Sequence, residues 1–196
     1  MALVRENAKF DAAGYLAWEA EQPNRNEYIA GEVFAMVGVR LSHNVATGNL
    51  YNALRNALRG SPCRVYIESV KTRVEAADCF FYPDVVVTCD ARDCATPDYI
   101  SHPLLVVEVL SETTAAFDRG DKFAAYRKLE SLQEYVLVDL PAKRLEIFRR
   151  NAEQHWVLYE YFDGDEIGFA SLSLKLPVAT VLEDTEEIAD LPAQQA

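Results

Sequence analysis

Two apolar runs, each interrupted by a single acid, constrain this chain more than any other feature. The first reads FFYPDVVVTCD from Phe80 and carries Asp84; the second reads LLVVEVLSETT from Leu104 and carries Glu108. Neither Val85–Val87 nor Leu104–Val107 alternates with polar residues, which is the pattern of strands covered on both faces. A carboxylate ionised inside such a strand is costly unless something compensates it, and a divalent cation is the usual compensation. A metal site is therefore expected where these strands lie side by side.

Charge limits what such a site can act on. The formal net charge is −12, which counts against a broad basic surface that coats nucleic acid and excludes steering of a polyanion by the whole molecule. A polyanionic substrate would need a bound cation and a local basic rim. Arg119, Arg127 and Lys128 are candidates for that rim, and Arg55, Arg59 and Arg64 form a second small cluster that is either a solvated face or a phosphate contact. Part of the acidity is local: Glu183, Asp184, Glu186, Glu187 and Asp190 follow Val181 with no Lys or Arg among them. Residues 183–196 are thus expected to be a frayed acidic tail behind a single domain of residues 1–182, since 196 residues suffice for one sizeable core.

No run approaches the roughly 18 apolar residues of a membrane span, and MALVRENAKF lacks an apolar leader core. Cytoplasm is the expected compartment. Cys63, Cys79, Cys89 and Cys94 match no common zinc spacing and read as free thiols.

Along the chain, residues 11–21 suggest a short helix capped by Asp11, and Arg25–Met36 a hairpin turning at Ala30-Gly31, with Glu27 and Glu32 on its arms. A helix is expected over Ser42–Arg59 with Ser42 as its cap; His43 then falls in the first turn, as a cap neighbour or a ligand. Arg64–Glu75 reads as one half-buried strand that turns into a second, Phe80–Thr88, with residues 90–103 as a surface connection. Asp118 suits the cap of a helix reaching Glu130, in which Lys122, Tyr126 and Leu129 share a face. A lysine in a first turn opposes the helix dipole, a hint that Lys122 is kept for its chemistry. Glu134–Leu140 is a further buried strand; Lys143–Arg150 pairs with His155–Phe162, and two short strands over Ile167–Leu172 and Leu174–Val178 follow.

Two acids on adjacent strands can share one hard cation, and such a cation polarises a phosphoryl oxygen and activates water. A lysine close by positions that water or offsets transition-state charge. Asp84, Glu108 and a lysine together therefore point to phosphodiester hydrolysis. Glycosidase chemistry fits poorly, because its paired acids sit in an open polar cleft. There is no Gly-rich phosphate loop and no Ser nucleophile elbow.

These residues also carry a resemblance. RNEYIAGEVFAM, LSHNVATGNL, YPDVVV, LLVVEVLS and DRGDKFAAYRKLESLQEYVLVD, in that order, resemble the Uma-two family of candidate restriction endonucleases, a branch of the PD-(D/E)XK nuclease superfamily. The resemblance implies an α/β (α+β) fold with a mixed central β-sheet flanked by helices, to which the later strands add a C-terminal antiparallel portion. It implies a homodimer acting on DNA with Mg²⁺ or Mn²⁺. Asp84 is the motif aspartate and Glu108 the second acid. Two residues after the second acid the superfamily pattern has lysine, and this chain has Leu110. Lys122 is the replacement the resemblance suggests, with Lys71 as a competitor. Glu27 matches the early acid, His43 a recurrent position, and Tyr126 packs beside the lysine; the Val109 carbonyl would join Asp84 and Glu108 on the metal. The missing lysine at position 110 leaves open a nuclease-like binding protein without turnover.

Overall fold

Each segment expected as one long strand before residue 90 is broken in the middle, and the two breaks divide the chain between two sheets. The computed structural model describes residues 5–6, 10–36 and 38–186. The first elements are β1 (Arg5–Glu6), α1 (Ala12–Glu19), β2 (Asn26–Ile29), β3 (Glu32–Ala35) and the long helix α2 (Leu41–Ala57). Next come β4 (Arg64–Ile67), β5 (Lys71–Val74), β6 (Cys79–Phe81), β7 (Val85–Thr88), β8 (Tyr99–Ile100) and β9 (Leu105–Val109). A single helical stretch follows, made of α3 (Ala115–Phe117), a π turn over Asp118–Lys122 and α4 (Phe123–Tyr126). Then come β10 (Glu134–Asp139), β11 (Arg144–Arg150), β12 (Trp156–Phe162), β13 (Glu166–Phe169), β14 (Leu174–Pro177) and α5 (Val178–Leu182).

The strands form one sheet in the order β1-β3-β2-β6-β5-β8, another in the order β12-β11-β10-β9-β7-β4, and the hairpin β13-β14. Both large sheets are mixed, with β5–β8 and β9–β10 as their parallel pairs. The expected α+β architecture with helices on the sheets and an added C-terminal antiparallel portion holds, with two sheets in place of one. The dividing residues explain the change. Arg64–Glu75 breaks where Glu68 takes a positive φ of 51°, and Phe80–Thr88 breaks at Pro83, which has no N–H for a ladder. The Glu68 amide donates to the Asp84 carbonyl at 2.9 Å, so the two breaks are tied to each other.

Lost alternation in the apolar runs follows from covering both faces. Val85, Val87, Leu105, Val107 and Val109 pack with Ala46, Leu50 and Leu54 of α2. Val86, Val106 and Leu110 face the other way, toward Phe81, Phe123, Tyr126 and Tyr135. Burying each of these aliphatic side chains contributes about 1.5–3 kcal/mol.

Several local expectations need correction. Helix α2 begins at Leu41 with Arg40 at the cap position and no side-chain cap bond; Ser42 lies inside the first turn. Asp118 does not cap a helix either. The helical stretch begins at Ala115, whose amide bonds to the Ser111 carbonyl, and Asp118 is buried within it beside Lys122. The Lys122 ammonium holds that carboxylate inside, and because the stretch starts at Ala115, Lys122 lies beyond its first turn and the dipole argument lapses. Residues 90–103 are more than a surface connection: β8 joins a sheet, and the buried Asp93 accepts from the Thr88 hydroxyl and the Ser101 and His102 amides. Cys63 and Cys89 are not free thiols but a disulfide. The β4–β7 register pairs Arg64 with Thr88, and one step further it sets Cys63 against Cys89, a proximity invisible in their spacing. Of the expected acidic tail, residues 187–196 lie outside those described. Residues 183–186 are held, with Asn49 Nδ2 donating to the Glu183 carbonyl at 2.8 Å.

Candidate active site

Strand register brings the two acids together. Val85 pairs with Val107 and Val86 with Val106, so extending the register by one residue sets Asp84 against Glu108. Both share the sheet face of Val86 and Val106, because side chains repeat every second residue. The Pro83 break places Asp84 at the entrance of β7, where its Oδ2 accepts the Val109 amide at 2.6 Å. His43, in the first turn of α2, brings its Nε2 to 3.3 Å from the same oxygen. Burial alone would lower the His43 imidazole pKa; the hydrogen bond and charge of Asp84 outweigh it and raise it.

Glu27 arrives from the other sheet. Tyr28 pairs with Phe80, so Glu27 lies level with Phe81 on the face turned toward Glu108, and its carboxylate accepts the Tyr82 amide at 3.2 Å. Between the sheets stands Lys122, with Nζ 2.9 Å from Glu108, 3.1 Å from Glu27 and 3.6 Å from Asp118. Lys122 and these three acids are all buried, each at most 5% exposed. Burial opposes the ammonium, but Glu108, Glu27 and Asp118 overcome it and hold the Lys122 pKa well above its usual value. Burial pushes the Glu108 carboxyl up, with Lys122 pulling against it. The Tyr126 hydroxyl, fully buried, donates to Glu108 at 3.4 Å. Asp118 and Lys122, four residues apart, share one side of the π turn, a local widening of the kind often found at functional positions.

All of Glu27, His43, Asp84, Glu108, Asp118 and Lys122 line one cavity of about 600 Å³. The expected set of Asp84, Glu108, Lys122, Glu27, His43 and Tyr126 is thus brought together. Lys71 is not part of it; its ammonium lies over the Tyr82 ring. Nor do the expected rim cations line the cavity: Arg119 binds Asp139 and Glu146, Arg127 stacks on Phe123, and Lys128 donates to the Ala76 carbonyl. The cations on the rim are Arg40 and Lys143, both missed in the sequence. Asp118 was also missed, although its position four residues before Lys122 is a readable signal.

The donor chemistry suits a hard cation. Asp84, Glu27, Glu108 and Asp118 together outnumber the one buried ammonium, and the Val109 backbone lies between the two strand acids. Among the described residues no three His, Cys, Asp or Glu side chains converge into a metal cage. A Mg²⁺-type ion needs no such cage, since one or two carboxylates with waters and substrate oxygens suffice.

A crystal structure from Anabaena variabilis, titled as "a putative nuclease belonging to DUF820", superposes with a TM-score of 0.69 at 16% identity, covering 85% of this chain and 96% of that one. The fold is therefore the same. Two Synechocystis proteins are similar in sequence along nearly their whole length. Slr1290 is 34% identical over 173 residues, 88% of this chain and 91% of that protein. Sll1609 is 29% identical over 177 residues, 89% of this chain and all of that protein. With residues 12–179 matching the Uma2 profile, described as "Putative restriction endonuclease", the chain belongs to that family.

Proposed function

We propose that this protein is a Mg²⁺- or Mn²⁺-dependent endonuclease that hydrolyses DNA phosphodiester bonds. The observation carrying the proposal is the meeting of Lys122 with Glu108 and Glu27 in the cavity that Asp84 also lines. Asp84 and Glu108, with the Val109 carbonyl, would hold the cation; when bound, it offsets carboxylate charge and polarises a phosphoryl oxygen.

The chain's own residues do the rest. The Val109 amide and His43 fix the Asp84 carboxylate in one orientation, and Tyr126 does the same for Glu108. Lys122, held as an ammonium, donates hydrogen bonds and orients the attacking water or offsets charge on phosphorus; it is not a proton acceptor in this state. Apolar walls such as Leu110, Phe117 and Leu140 limit water at the reacting centre. Within this proposal residues 1–182 act as one nuclease unit, and the family resemblance supports a cytoplasmic homodimer.

One feature favours a second reading, a binding protein without turnover. The Lys122 amine is already committed to three carboxylates. Supercoiled plasmid incubated with Mg²⁺ or Mn²⁺ separates the two. Cleavage by the wild type that disappears in Asp84→Ala and Lys122→Ala supports the enzyme. Cleavage undiminished in both variants, or none with either metal, defeats it.

A further inference from the structure

Both cations on the cavity rim hold an acid from a separate segment. Arg40 lies 3.2 Å from Glu112, and Lys143 lies 3.4 Å from Glu186. The second pair is the more informative. Lys143 occupies the turn between β10 and β11 with a φ of 48°, a left-handed position where glycine or asparagine is favoured. Lys143, Thr185 and Glu186 border both the main cavity and an adjoining depression, so the pair stands on the path between them.

Glu186 is delivered to that point. Val178 and Val181 of α5 are fully buried, and Asn49 of α2 donates to the Val181 and Glu183 carbonyls at 3.3 and 2.8 Å. The Thr185 amide and hydroxyl both donate to the Leu182 carbonyl, which leaves Glu186 one residue beyond the last of these bonds. Its side chain and that of Lys143 are 85% and 54% exposed, so their attraction is weak and open to competition from another anion.

We propose that Lys143 is a DNA-phosphate contact at the mouth of the site and that Glu186 is a built-in competitor for it. This rests on the reading of the cavity as a DNA phosphodiester site. Glu186 thereby lowers the affinity of an acidic protein for polyanions, and only substrates able to displace it enter.

Binding of a short fluorescein-labelled duplex, followed by anisotropy with Ca²⁺ replacing Mg²⁺ to keep the DNA intact, tests the pair. Glu186→Gln is expected to tighten binding about threefold at low salt, fading as salt rises. Lys143→Ala is expected to weaken binding and to reduce the salt slope by about one. In the Lys143→Ala background, Glu186→Gln should bring no gain. Both side chains are exposed, so folding is not at stake. Unchanged or weaker binding by Glu186→Gln, or an equal gain without Lys143, overturns the proposal. Plasmid cleavage by the wild type is scored separately: if it cleaves while Glu186→Gln binds unchanged, the competitor fails and the nuclease stands. If it does not cleave while Glu186→Gln binds more tightly, the nuclease fails and the competitor stands.

Discussion

Lys122 and Glu108 meet at 2.9 Å across the seam between a π turn and a central strand, and Glu27 of the other sheet completes the contact at 3.1 Å. This ion cluster has a structural role, because it joins buried groups from three elements at the floor of the cavity.

Replacing Lys122 by Met should therefore leave Glu27, Glu108 and Asp118 without their counter-ion. A loss of about 3–5 kcal/mol is expected at neutral pH, by analogy with other broken buried pairs. Adding Glu108→Gln to that variant should restore part of it. Urea denaturation followed by far-ultraviolet circular dichroism measures both; an unchanged midpoint in the single variant contradicts the account.

Divalent cations should stabilise the fold. An ion that binds the native state alone contributes about 2.7 kcal/mol at a hundredfold excess over its Kd. Thermal melts with and without Mn²⁺ should separate for the wild type and coincide for Asp84→Asn. A shift that survives in the variant would place the ion elsewhere.

Much of this site was readable in advance, and the reason is physical. Glu108 is conspicuous because it interrupts an aliphatic run, and Asp84 because Pro83 precedes another. Their pairing followed once the runs were recognised as neighbouring strands. What was hidden depends on chain breaks and on distance. Glu68 adopting a positive φ has no side-chain signature, so a twelve-residue alternating segment read as a single strand. Asp118 resembled a helix cap because a short polar residue before an apolar stripe is the usual sign of one. Lys143 and Glu186 come from remote segments, and no local pattern connects them.

Cysteine labelling should distinguish three environments. Cys94 is exposed and Cys79 buried, while Cys63 and Cys89 are joined. Burial, reinforced by the nearby Asp78 charge, raises the Cys79 thiol to about 11. A raised native pKa means that the folded state retains the proton, so this group's contribution is fully present below pH 9 and is lost as pH rises through about 11. Iodoacetamide at pH 8, without reductant, should modify Cys94 in the native protein and Cys79 only after denaturation. Mass spectrometry of the peptides reads the result; native labelling of Cys63 would remove the disulfide.

Glu134 should be the most sensitive residue for holding the C-terminal hairpin. It is fully buried, pairs with Arg149 at 2.7 Å, and accepts from the Ala170 and Ser171 amides and the Ser171 hydroxyl. Arg149 in turn donates to the Gly168 carbonyl. Glu134→Ala is expected to cost about 3 kcal/mol, and hydrogen exchange should rise first in residues 166–177. Uniform exchange across the chain would argue against a local anchor.

The shared break at Glu68 and Asp84 carries a mechanical consequence. Two neighbouring segments each cross from one sheet to the other at the same place, paired in both sheets and tied at the crossing by the hydrogen bond from the Glu68 amide to the Asp84 carbonyl. Prising the sheets apart would tug on both threads at once, and one of them ends at the carboxylate facing Glu108. The two layers should consequently melt as one body, and whatever loosens their junction should also part Asp84 from Glu108.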